Sequence, residues 1–321
     1  MTTSRPNLFD VLSARKRIDP YIARTPLHHY TRLDKILDAE VHVKHENHQS
    51  LGSFKMRGAL NVVDQMSDEQ RERGVVVAST GNFGQGIAYA AQVFDVQANV
   101  VVPTNANPDK CQSMRELGAN VIFHGANFDE SRQHCEVLSR EEGYVYVHSA
   151  NEPRLISGVG TYSLEIFEDL PDVDVIIVPV GGGSGVCGAC IVADGLNPAV
   201  EVIGVQATYA PGAYNSWKTG ELTQAKMGTI AEGLATEIGF KIPQEIMRDL
   251  LNDFVLVTDE EMIEAVKILL ETTHNLAEHA GASPLAAAIK IKDRLRGKKV
   301  VLVMSGGNIS RDQLKSVLDS H

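Results

Sequence analysis

Short apolar runs rich in β-branched residues alternate with longer amphipathic stretches along the chain, and this alternation restricts the possible folds more than any other feature. The runs are residues 74–78, 98–103, 121–123, 173–180, 202–205 and 299–304. Runs of this length, separated by helical patterns, are typical of parallel strands that are buried on both faces. We therefore predict a doubly wound α/β fold.

The strand-helix units fall into two groups, which predicts two lobes. Three units lie between Lys55 and Tyr146, and a further set begins at Val173. The chain has 321 residues, of which 43% are hydrophobic. That length and composition are sufficient for one or two sizeable cores.

Charge and hydropathy exclude several classes of partner. A formal net charge of -11 leaves no broad basic face to follow a phosphate backbone, which argues against nucleic acid. Residues 1–10 lack the basic start and apolar core of a signal peptide, and no apolar run reaches the roughly 18 residues needed to span a bilayer. We expect a small-molecule ligand, no membrane partner and a cytoplasmic location.

Cys187 and Cys190 have the Cys-x-x-Cys spacing found in redox and zinc sites. No second pair and no nearby histidine completes a zinc set. The two residues follow a glycine loop in a helix-like stretch of small residues, where cysteine serves as a compact apolar filler. We interpret both as packing residues and leave any metal site unassigned.

Lys55 is the first candidate for covalent chemistry. It follows the aromatic Phe54, and Gly52 and Gly58 flank the segment. A lysine that faces a concave, partly dry site loses its proton readily and then acts as a nucleophile or a base. On this segment alone, the alternative that Lys55 is a surface residue opening a helix stays open.

Three other loops follow predicted strands. The loop after the strand at 173–180 consists of Gly181, Gly182, Gly183, Ser184 and Gly185. Glycines let backbone N–H groups converge at a helix N-terminus, which predicts an anion site, with a plain tight turn as the alternative. Asn82 and Ser305 occupy the other two loops, where a helix cap and a turn serine are the alternatives to ligand contacts.

Together, in this order and spacing, the four segments resemble the fold-type II pyridoxal-phosphate enzymes, and within them the serine/threonine dehydratase and serine racemase group. The resemblance extends from about residue 18 to Asn308. It implies a two-domain, tryptophan synthase β-like fold with open, mainly parallel α/β sheets in both domains. Residues 1–48 and 148–321 would form the large cofactor-binding domain, and residues 49–147 a smaller inserted domain.

The same resemblance implies the roles of individual residues toward pyridoxal 5'-phosphate. Lys55 would form the Schiff base and remove the α-proton, with Phe54 behind the ring and the loop 181–185 around the phosphate. Asn82 would donate to the phenolate oxygen and Ser305 to the pyridine nitrogen, while the Gly233 carbonyl and Glu278 would lie beside the ring. The implied substrate contacts are Ser79, Thr80, Gly81, Asn82, Phe83 and Arg132.

The sequence departs from the group at positions that bear on the reaction. Thr80 stands where serine racemases have their second base, and its restricted rotamers disfavour racemisation. Phe83 stands where the group has a histidine, which predicts a less polar entrance to the substrate site. The segment 206–212 lacks the two carboxylates of the racemase metal site. Arg132 suits a distal substrate carboxylate, with a surface arginine as the equal alternative.

These residues predict an ammonia-lyase that eliminates water from a β-hydroxy α-amino acid such as L-threonine or L-serine and releases a 2-oxo acid and ammonia. The alternatives are a 3-hydroxyaspartate or phenylserine dehydratase, an amino-acid racemase and a β-replacement enzyme. A regulator that binds pyridoxal phosphate or an amino acid without turnover is the alternative outside the enzymes. The resemblance also implies a homo-oligomer, either a dimer or a tetramer.

Overall fold

The computed structural model describes residues 5–320 and contains ten strands in two sheets. The strands are β1 (Leu27–His29), β2 (Glu40–His45), β3 (Val75–Ala78), β4 (Ala98–Val102), β5 (Asn120–Phe123), β6 (Val145–Tyr146), β7 (Val175–Pro179), β8 (Glu201–Ala207), β9 (Asp253–Val257) and β10 (Lys299–Met304). All six predicted runs form strands at or near their predicted bounds. The predicted α/β class with mainly parallel sheets is confirmed.

Fifteen α-helices cover the two sheets in the described residues. They are α1 (Leu8–Ile18), α2 (Thr31–Leu37), α3 (Lys55–Asp64), α4 (Asp68–Arg73), α5 (Asn82–Val93), α6 (Pro108–Glu116), α7 (Phe128–Glu141), α8 (Pro153–Asp169), α9 (Ser184–Leu196), α10 (Gly212–Thr219), α11 (Lys241–Leu250), α12 (Asp259–Thr273), α13 (His279–Lys290), α14 (Lys292–Leu295) and α15 (Arg311–Asp319). Short 3-10 helices lie at Asp19–Tyr21, Glu46–His48 and Glu232–Leu234.

The larger sheet has the strand order β1-β2-β10-β7-β8-β9. Every neighbouring pair is parallel except β1 and β2, which pair antiparallel at the edge. Because β2 lies beside β10, the first part of the chain and strands that follow residue 175 share one sheet. The carboxyl ends of β7 and β10 therefore lie at the same edge, which is where ligands bind in open α/β sheets.

The smaller sheet has the order β5-β4-β3-β6 and is parallel throughout. Its strands all come from residues 75–146, between β2 and β7 in the chain. This separation of the strands fits an inserted smaller lobe. The domain boundaries at residues 48 and 148 stay a prediction.

Four strands lie outside the predicted runs, and their sequences explain why. β2 contains Lys44 and His45, which are polar yet fully buried, so the strand lacks an apolar run. β1 has three residues and β6 has two, which is too short for a periodic pattern. β9, the remaining strand, begins with the acidic Asp253 and continues with only four apolar residues.

Helices α8 and α9 pack closely over the larger sheet. A Cβ atom at Gly188 would lie 2.6 Å from the Cα atom of Gly160. The two glycines thus permit the approach of the helices, which brings the N-terminus of α9 to the end of β7. Cys187 and Cys190 on α9 are free thiols and almost fully buried, and burial raises the pKa of both. This agrees with the packing role inferred from the sequence.

A buried ion network joins the helix α3 to the larger sheet. Arg57 of α3 contacts Glu46, with Nε 2.8 Å from Oε2, and Glu165 of α8, with Nη1 2.7 Å from Oε1. Lys44 of β2 donates from Nζ to Glu165 Oε2 at 2.5 Å and to the carbonyl oxygen of Thr25 at 2.7 Å. The network contains two cations and two carboxylates, so its formal charges balance.

None of the helices in residues 5–320 combines the length and apolar character needed to cross a membrane.

Candidate active site

Lys55 is the first residue of α3, and the loop before it is bonded to the loop after β10. The backbone N–H of Phe54 donates to the carbonyl of Ser305 at 3.2 Å, and the N–H of Gly307 donates to the carbonyl of Gly52 at 2.9 Å. Gly52 has a φ of +66°, a backbone conformation that favours glycine. Lys55 and Ser305 are 250 positions apart in the chain, yet these two bonds hold their loops side by side.

The Lys55 amine is partly buried and lacks a carboxylate within hydrogen-bond distance among the described residues. Its Nζ atom donates to Oγ of Ser184 at 3.2 Å and lies 4.9 Å from the centre of the Phe54 ring. Burial lowers the pKa of Lys55 to about 8, although the charge of Glu278 opposes the shift. The amine therefore loses its proton far more readily than a lysine in water.

The glycine loop after β7 forms a concave turn that leads into α9. A Cβ atom at Gly181 would lie 2.1 Å from the carbonyl oxygen of Gly233, and Gly183 has a φ of +96°. Ser184 is the first residue of α9, which has 13 residues. The backbone N–H groups at the start of this helix and its partial positive charge make the loop a suitable site for a phosphate group.

Phe54 forms one wall beside this loop. A Cβ atom at Gly185 would lie 3.5 Å from Cζ of Phe54, which is an ordinary van der Waals distance, so the ring packs against the start of α9. Tyr162 of α8 packs edge-on against the Phe54 ring with 6.2 Å between the ring centres. The Tyr162 hydroxyl donates to the carbonyl of Gly185 at 2.9 Å. Tyr162 therefore supports both the wall and the loop, a role that the sequence analysis did not assign.

Glu278 is the N-cap residue of α13, and its carboxyl group lies beside Gly306 and Asn82. Its Oε1 atom accepts from Nδ2 of Asn82 at 2.8 Å. Burial raises the pKa of Glu278 to about 7, although Lys110, Asn82 and Lys55 act against the shift. A carboxyl group with such a pKa takes up or releases a proton near neutrality.

The loop between β3 and α5 and the first turn of α5 contain five of the predicted substrate contacts, residues 79–83. The Ser79 hydroxyl accepts from the N–H groups of Gly81 at 3.3 Å and Gly84 at 2.9 Å, and Gly81 rather than Asn82 is the N-cap of α5. Thr80 is partly buried beside them. Phe83 is 5% exposed and belongs to the core of the smaller sheet, and a contact of Phe83 with the substrate stays a prediction.

Arg132 does not join the other predicted residues through a hydrogen bond in the described part of the chain. It lies on α7 and contacts Asp129 at 3.2 Å and Glu136 at 2.6 Å, both on the same helix. These two carboxylates satisfy much of its guanidinium group. The geometry is that of the surface alternative, and a role for Arg132 in substrate binding stays a prediction.

An ion pair between Lys110 of α6 and Glu232 joins the two lobes beside the site. A small pocket at this point is lined by both residues together with Gly233 and Glu278. The pairing of Lys110 with Glu232 spans 122 positions in the chain, and no local pattern marks it. Residues 5–320 contain no group of three or more His, Cys, Asp and Glu side chains placed to hold a metal ion.

The site thus combines a lysine with a lowered pKa, a glycine loop at a helix N-terminus and polar groups from three further loops. A family model described as pyridoxal-phosphate dependent enzyme matches residues 18–306. The chain belongs to the pyridoxal-phosphate-dependent enzyme family. The predictions of this family, of its cofactor and of an enzyme are confirmed.

Curated relatives and solved structures agree with this assignment to the pyridoxal-phosphate-dependent family. The chain is 39% identical to an L-threonine ammonia-lyase of Thermotoga maritima, over 97% of this chain and 78% of that protein. It is 37% identical to a catabolic L-threonine dehydratase of Staphylococcus aureus, over 98% of this chain and 92% of that protein. Maize serine racemase has a TM-score of 0.93 at 30% identity and covers 98% of this chain and 97% of its own.

The residues present suit the cofactor of the pyridoxal-phosphate-dependent family. The Gly181 turn has no room for a side chain because the Gly233 carbonyl occupies that space, and the start of α9 lies beside the Lys55 amine. An anion cradle and a readily deprotonated lysine are what a phosphorylated aldehyde requires. The roles of the individual residues toward the cofactor remain predictions.

Proposed function

We propose that this enzyme eliminates water from a β-hydroxy α-amino acid, with L-threonine or L-serine as substrate. The enamine that results takes up a water molecule again when it tautomerises and hydrolyses, so the net products are a 2-oxo acid and ammonia. The names and the identities of the two curated relatives support this reaction. The observation that carries the proposal is the Lys55 amine, whose lowered pKa and position at the glycine loop suit a base that acts next to a bound phosphate.

We propose that Lys55 holds the cofactor covalently and that Gly181, Gly182, Gly183, Ser184 and Gly185 hold its phosphate. Asn82 and Ser305 would bind the ring oxygen and the ring nitrogen, and Phe54, Gly233 and Glu278 would lie against the ring. Pyridoxal phosphate, when bound, supplies an electron sink for the charge left after a proton leaves the α-carbon of the amino acid.

Lys55 Nζ is the group that would take the α-proton. Its pKa of about 8 leaves a useful fraction of the amine neutral near neutral pH, so it can accept a proton there. The hydroxyl of Ser184, 3.2 Å away, limits the directions in which the amine can point. The turn at residues 79–83 would hold the substrate carboxylate with backbone N–H groups.

Ser305 favours elimination over reactions that need a long-lived carbanion. Its hydroxyl is neutral, so it stabilises a protonated ring nitrogen less than a carboxylate would. In an elimination, departure of the β-hydroxyl group removes the negative charge soon after it forms. Ser305 is 5% exposed and follows β10, where it is fixed by the bond between its carbonyl and Phe54.

A substrate panel tests the proposed reaction. Purified protein is incubated with L-serine, L-threonine, 3-hydroxyaspartate and phenylserine, and both 2-oxo acid and D-isomer are measured. We expect 2-oxo acid from serine or threonine, and borohydride reduction should fix the cofactor on the peptide that contains Lys55. D-isomer without 2-oxo acid would establish a racemase instead, and a spectral change without any product would indicate a binding regulator.

We also infer a cytoplasmic homo-oligomer without nucleic-acid or membrane partners. The net charge of -11 disfavours polyanions, and α1 exposes apolar side chains that suit contact with a second copy, since Phe9 is 74% and Leu12 is 42% exposed. Sedimentation equilibrium of the purified protein measures the mass of the assembly. A monomer at all concentrations tested would contradict the inference.

A further inference from the structure

Asn308 lies in the loop after β10 and donates two hydrogen bonds from one amide nitrogen. Its Nδ2 atom is 2.8 Å from the carbonyl oxygen of Leu51 and 2.8 Å from Oδ1 of Asn82. A backbone carbonyl only accepts hydrogen bonds, so the Asn308 nitrogen must face Leu51. The orientation of the Asn308 amide is therefore fixed by chemistry, and its two donors are committed.

The fixed amide of Asn308 in turn decides the orientation of Asn82. Because a donor of Asn308 faces Asn82, the Asn82 oxygen must point toward Asn308 and its nitrogen toward Oε1 of Glu278, 2.8 Å away. Glu278 alone does not decide this orientation, since a carboxyl group that is protonated near neutrality donates as well as accepts. Asn308 removes that ambiguity.

The orientation leaves Asn82 with one further donor. A side-chain amide has two N–H groups, and in residues 5–320 the only acceptor bonded to the Asn82 nitrogen is Glu278. The remaining N–H is available for an oxygen atom of a ligand. If the Asn82 amide were turned over, it would offer the site an acceptor instead of a donor.

Two glycines make room for this chain of amides. A Cβ atom at Gly52 would lie 2.6 Å from Oδ1 of Asn308, and one at Gly306 would lie 2.7 Å from Oε1 of Glu278 and 3.2 Å from Nδ2 of Asn82. The contacts of 2.6 and 2.7 Å are shorter than a Cβ atom makes, so a side chain at either position would displace the Asn308 amide or the Glu278 carboxyl group. The absence of a side chain at Gly52 and Gly306 therefore leaves the space in which these groups meet.

We propose that Asn308 is a positioning residue that sets the direction of the Asn82 amide, and through it the donor that Asn82 offers to the ring oxygen of the cofactor. The inference rests on the proposed function, in particular on the contact between Asn82 and the cofactor. Asn308 also bonds to Leu51, four positions before Lys55, so one side chain holds the lysine loop and the Asn82 donor in register.

The substitution Asn308→Asp tests the proposal in the holoenzyme. Aspartate has nearly the same shape but no donor, so the Asn82 amide turns to donate to it and presents its oxygen to the site. An ionised ring oxygen then loses its donor. We expect the long-wavelength absorbance band of the bound cofactor to fall, the short-wavelength band to rise, and turnover to fall about tenfold, at unchanged cofactor content.

Asn120→Asp is the matched control. Asn120 donates from Nδ2 to Oδ1 of Asn99 at 3.0 Å, which is the same kind of amide pair, but it lies in the smaller sheet outside the site. This variant should keep the wild-type spectrum. A wild-type spectrum in Asn308→Asp, with only a lower melting temperature, would show that Asn308 is merely structural and would overturn the proposal.

A double-variant cycle separates failure of this inference from failure of the proposed function. If Asn82→Ala leaves the cofactor spectrum unchanged, Asn82 does not contact the ring oxygen, and the inference falls with the function proposed for Asn82. If Asn82→Ala shifts the spectrum and Asn308→Asp does not, only the present inference fails. If Asn308 acts through Asn82, Asn308→Asp adds no further shift to Asn82→Ala, whereas fully additive shifts would overturn the proposal.

Asn308→Ala is the second variant in case Asn308→Asp does not fold. It removes both donors without adding a charge, so the Asn82 amide loses its fixed direction. We expect the same spectral change in a smaller proportion of molecules. Holoenzyme of Asn308→Ala with an unaltered spectrum would also overturn the proposal.

Discussion

Two cations in the first turn of α3, Lys55 and Arg57, show how pairing decides the state of a buried charge. Arg57 is fully buried, but it contacts Glu46 and Glu165, and these carboxylates raise its pKa further against the effect of burial. Lys55 is less buried, but within residues 5–320 the hydrogen-bond partner of its amine is a hydroxyl and not a carboxylate, and burial lowers its pKa to about 8.

The comparison shows that Lys55 and Arg57, two positions apart in α3, have different roles. Arg57 points into a balanced ion network that joins the lobes, so its charge is kept and its position is fixed. Lys55 points toward the glycine loop, where a charge is only weakly supported. A buried cation that is paired with carboxylates keeps its charge and fixes the position of its helix. A buried amine without a carboxylate partner loses its proton more readily and can act as a base or a nucleophile.

The substitution Lys55→Ala should have the largest effect on turnover and the smallest on the fold. We expect 2-oxo acid formation to fall by about a thousandfold or more, because the proposed base and attachment point are both lost. The melting temperature of the cofactor-free protein should stay the same or rise. Lys16→Ala, an exposed lysine on α1, is the control. Product formation at the wild-type rate in Lys55→Ala would refute the catalytic assignment.

The substitution Arg57→Met should show the opposite pattern. It leaves Glu46 and Glu165 buried with fewer positive partners, and breaking such a network costs about 3–5 kcal/mol of unfolding free energy. Urea denaturation of the cofactor-free variant measures this loss. Arg57→Lys keeps the charge without the bidentate contacts and should lie between wild type and Arg57→Met. A loss below about 1 kcal/mol in Arg57→Met would mean that the network is not what holds α3.

The pH dependence of stability sharpens the comparison further. The pKa of Lys55 falls from 10.5 to about 8 on folding, so between these values the unfolded chain binds more protons and stability should rise with pH. The pKa of Glu278 rises from 4.5 to about 7, so in that window the folded chain binds more protons and stability should fall as pH rises. Each change amounts to at most about 3 kcal/mol.

Denaturation of the cofactor-free protein across pH tests both slopes. Lys55→Met should flatten the rise between pH 8 and 10.5, and Glu278→Gln should flatten the fall between pH 4.5 and 7. A wild-type slope that survives the matching substitution would assign it to another group.

Ser184→Ala should have the smallest effect on turnover in this series. It removes the hydroxyl that accepts from Lys55 Nζ and leaves the backbone of the glycine loop unchanged. A neutral hydrogen bond contributes about 1 kcal/mol, so turnover should fall about fivefold with the cofactor still bound. A loss as large as that of Lys55→Ala would show that Ser184 does more than orient the amine.

The parts of the site that could be predicted from the sequence are those formed by short segments of consecutive residues. Lys55 and the loop 181–185 stand in short segments whose order along the chain resembles a known family, and the strands beside them are continuous apolar runs. Local patterns carry this information because the turn after a strand and the start of the next helix are only a few residues long.

The parts that could not be predicted depend on partners far apart in the chain. Arg57 and Glu165 are 108 positions apart, and Asn82 and Asn308 are 226 apart, so no local pattern links them. Lys44 is also the reason that β2 was not predicted. A charged residue is expected to be exposed, and only the structure shows that Lys44 is buried together with its partner Glu165. Phe83 shows the converse, since a residue in a functional loop can still place its side chain in the core.

The position of β10 between β2 and β7 has a consequence for the order in which the protein forms. The strands of the smaller sheet are contiguous in the chain, so a ribosome finishes them while the larger sheet still lacks β7, β8, β9 and β10. The larger sheet then closes late, because β10, the second neighbour of β2, follows β2 by more than 250 residues in the chain. Ser305 and Asn308 lie just after β10, so the candidate site is completed only after β10 has been made. Pulsed hydrogen exchange during refolding should accordingly protect the β3 and β4 amides before those of β2.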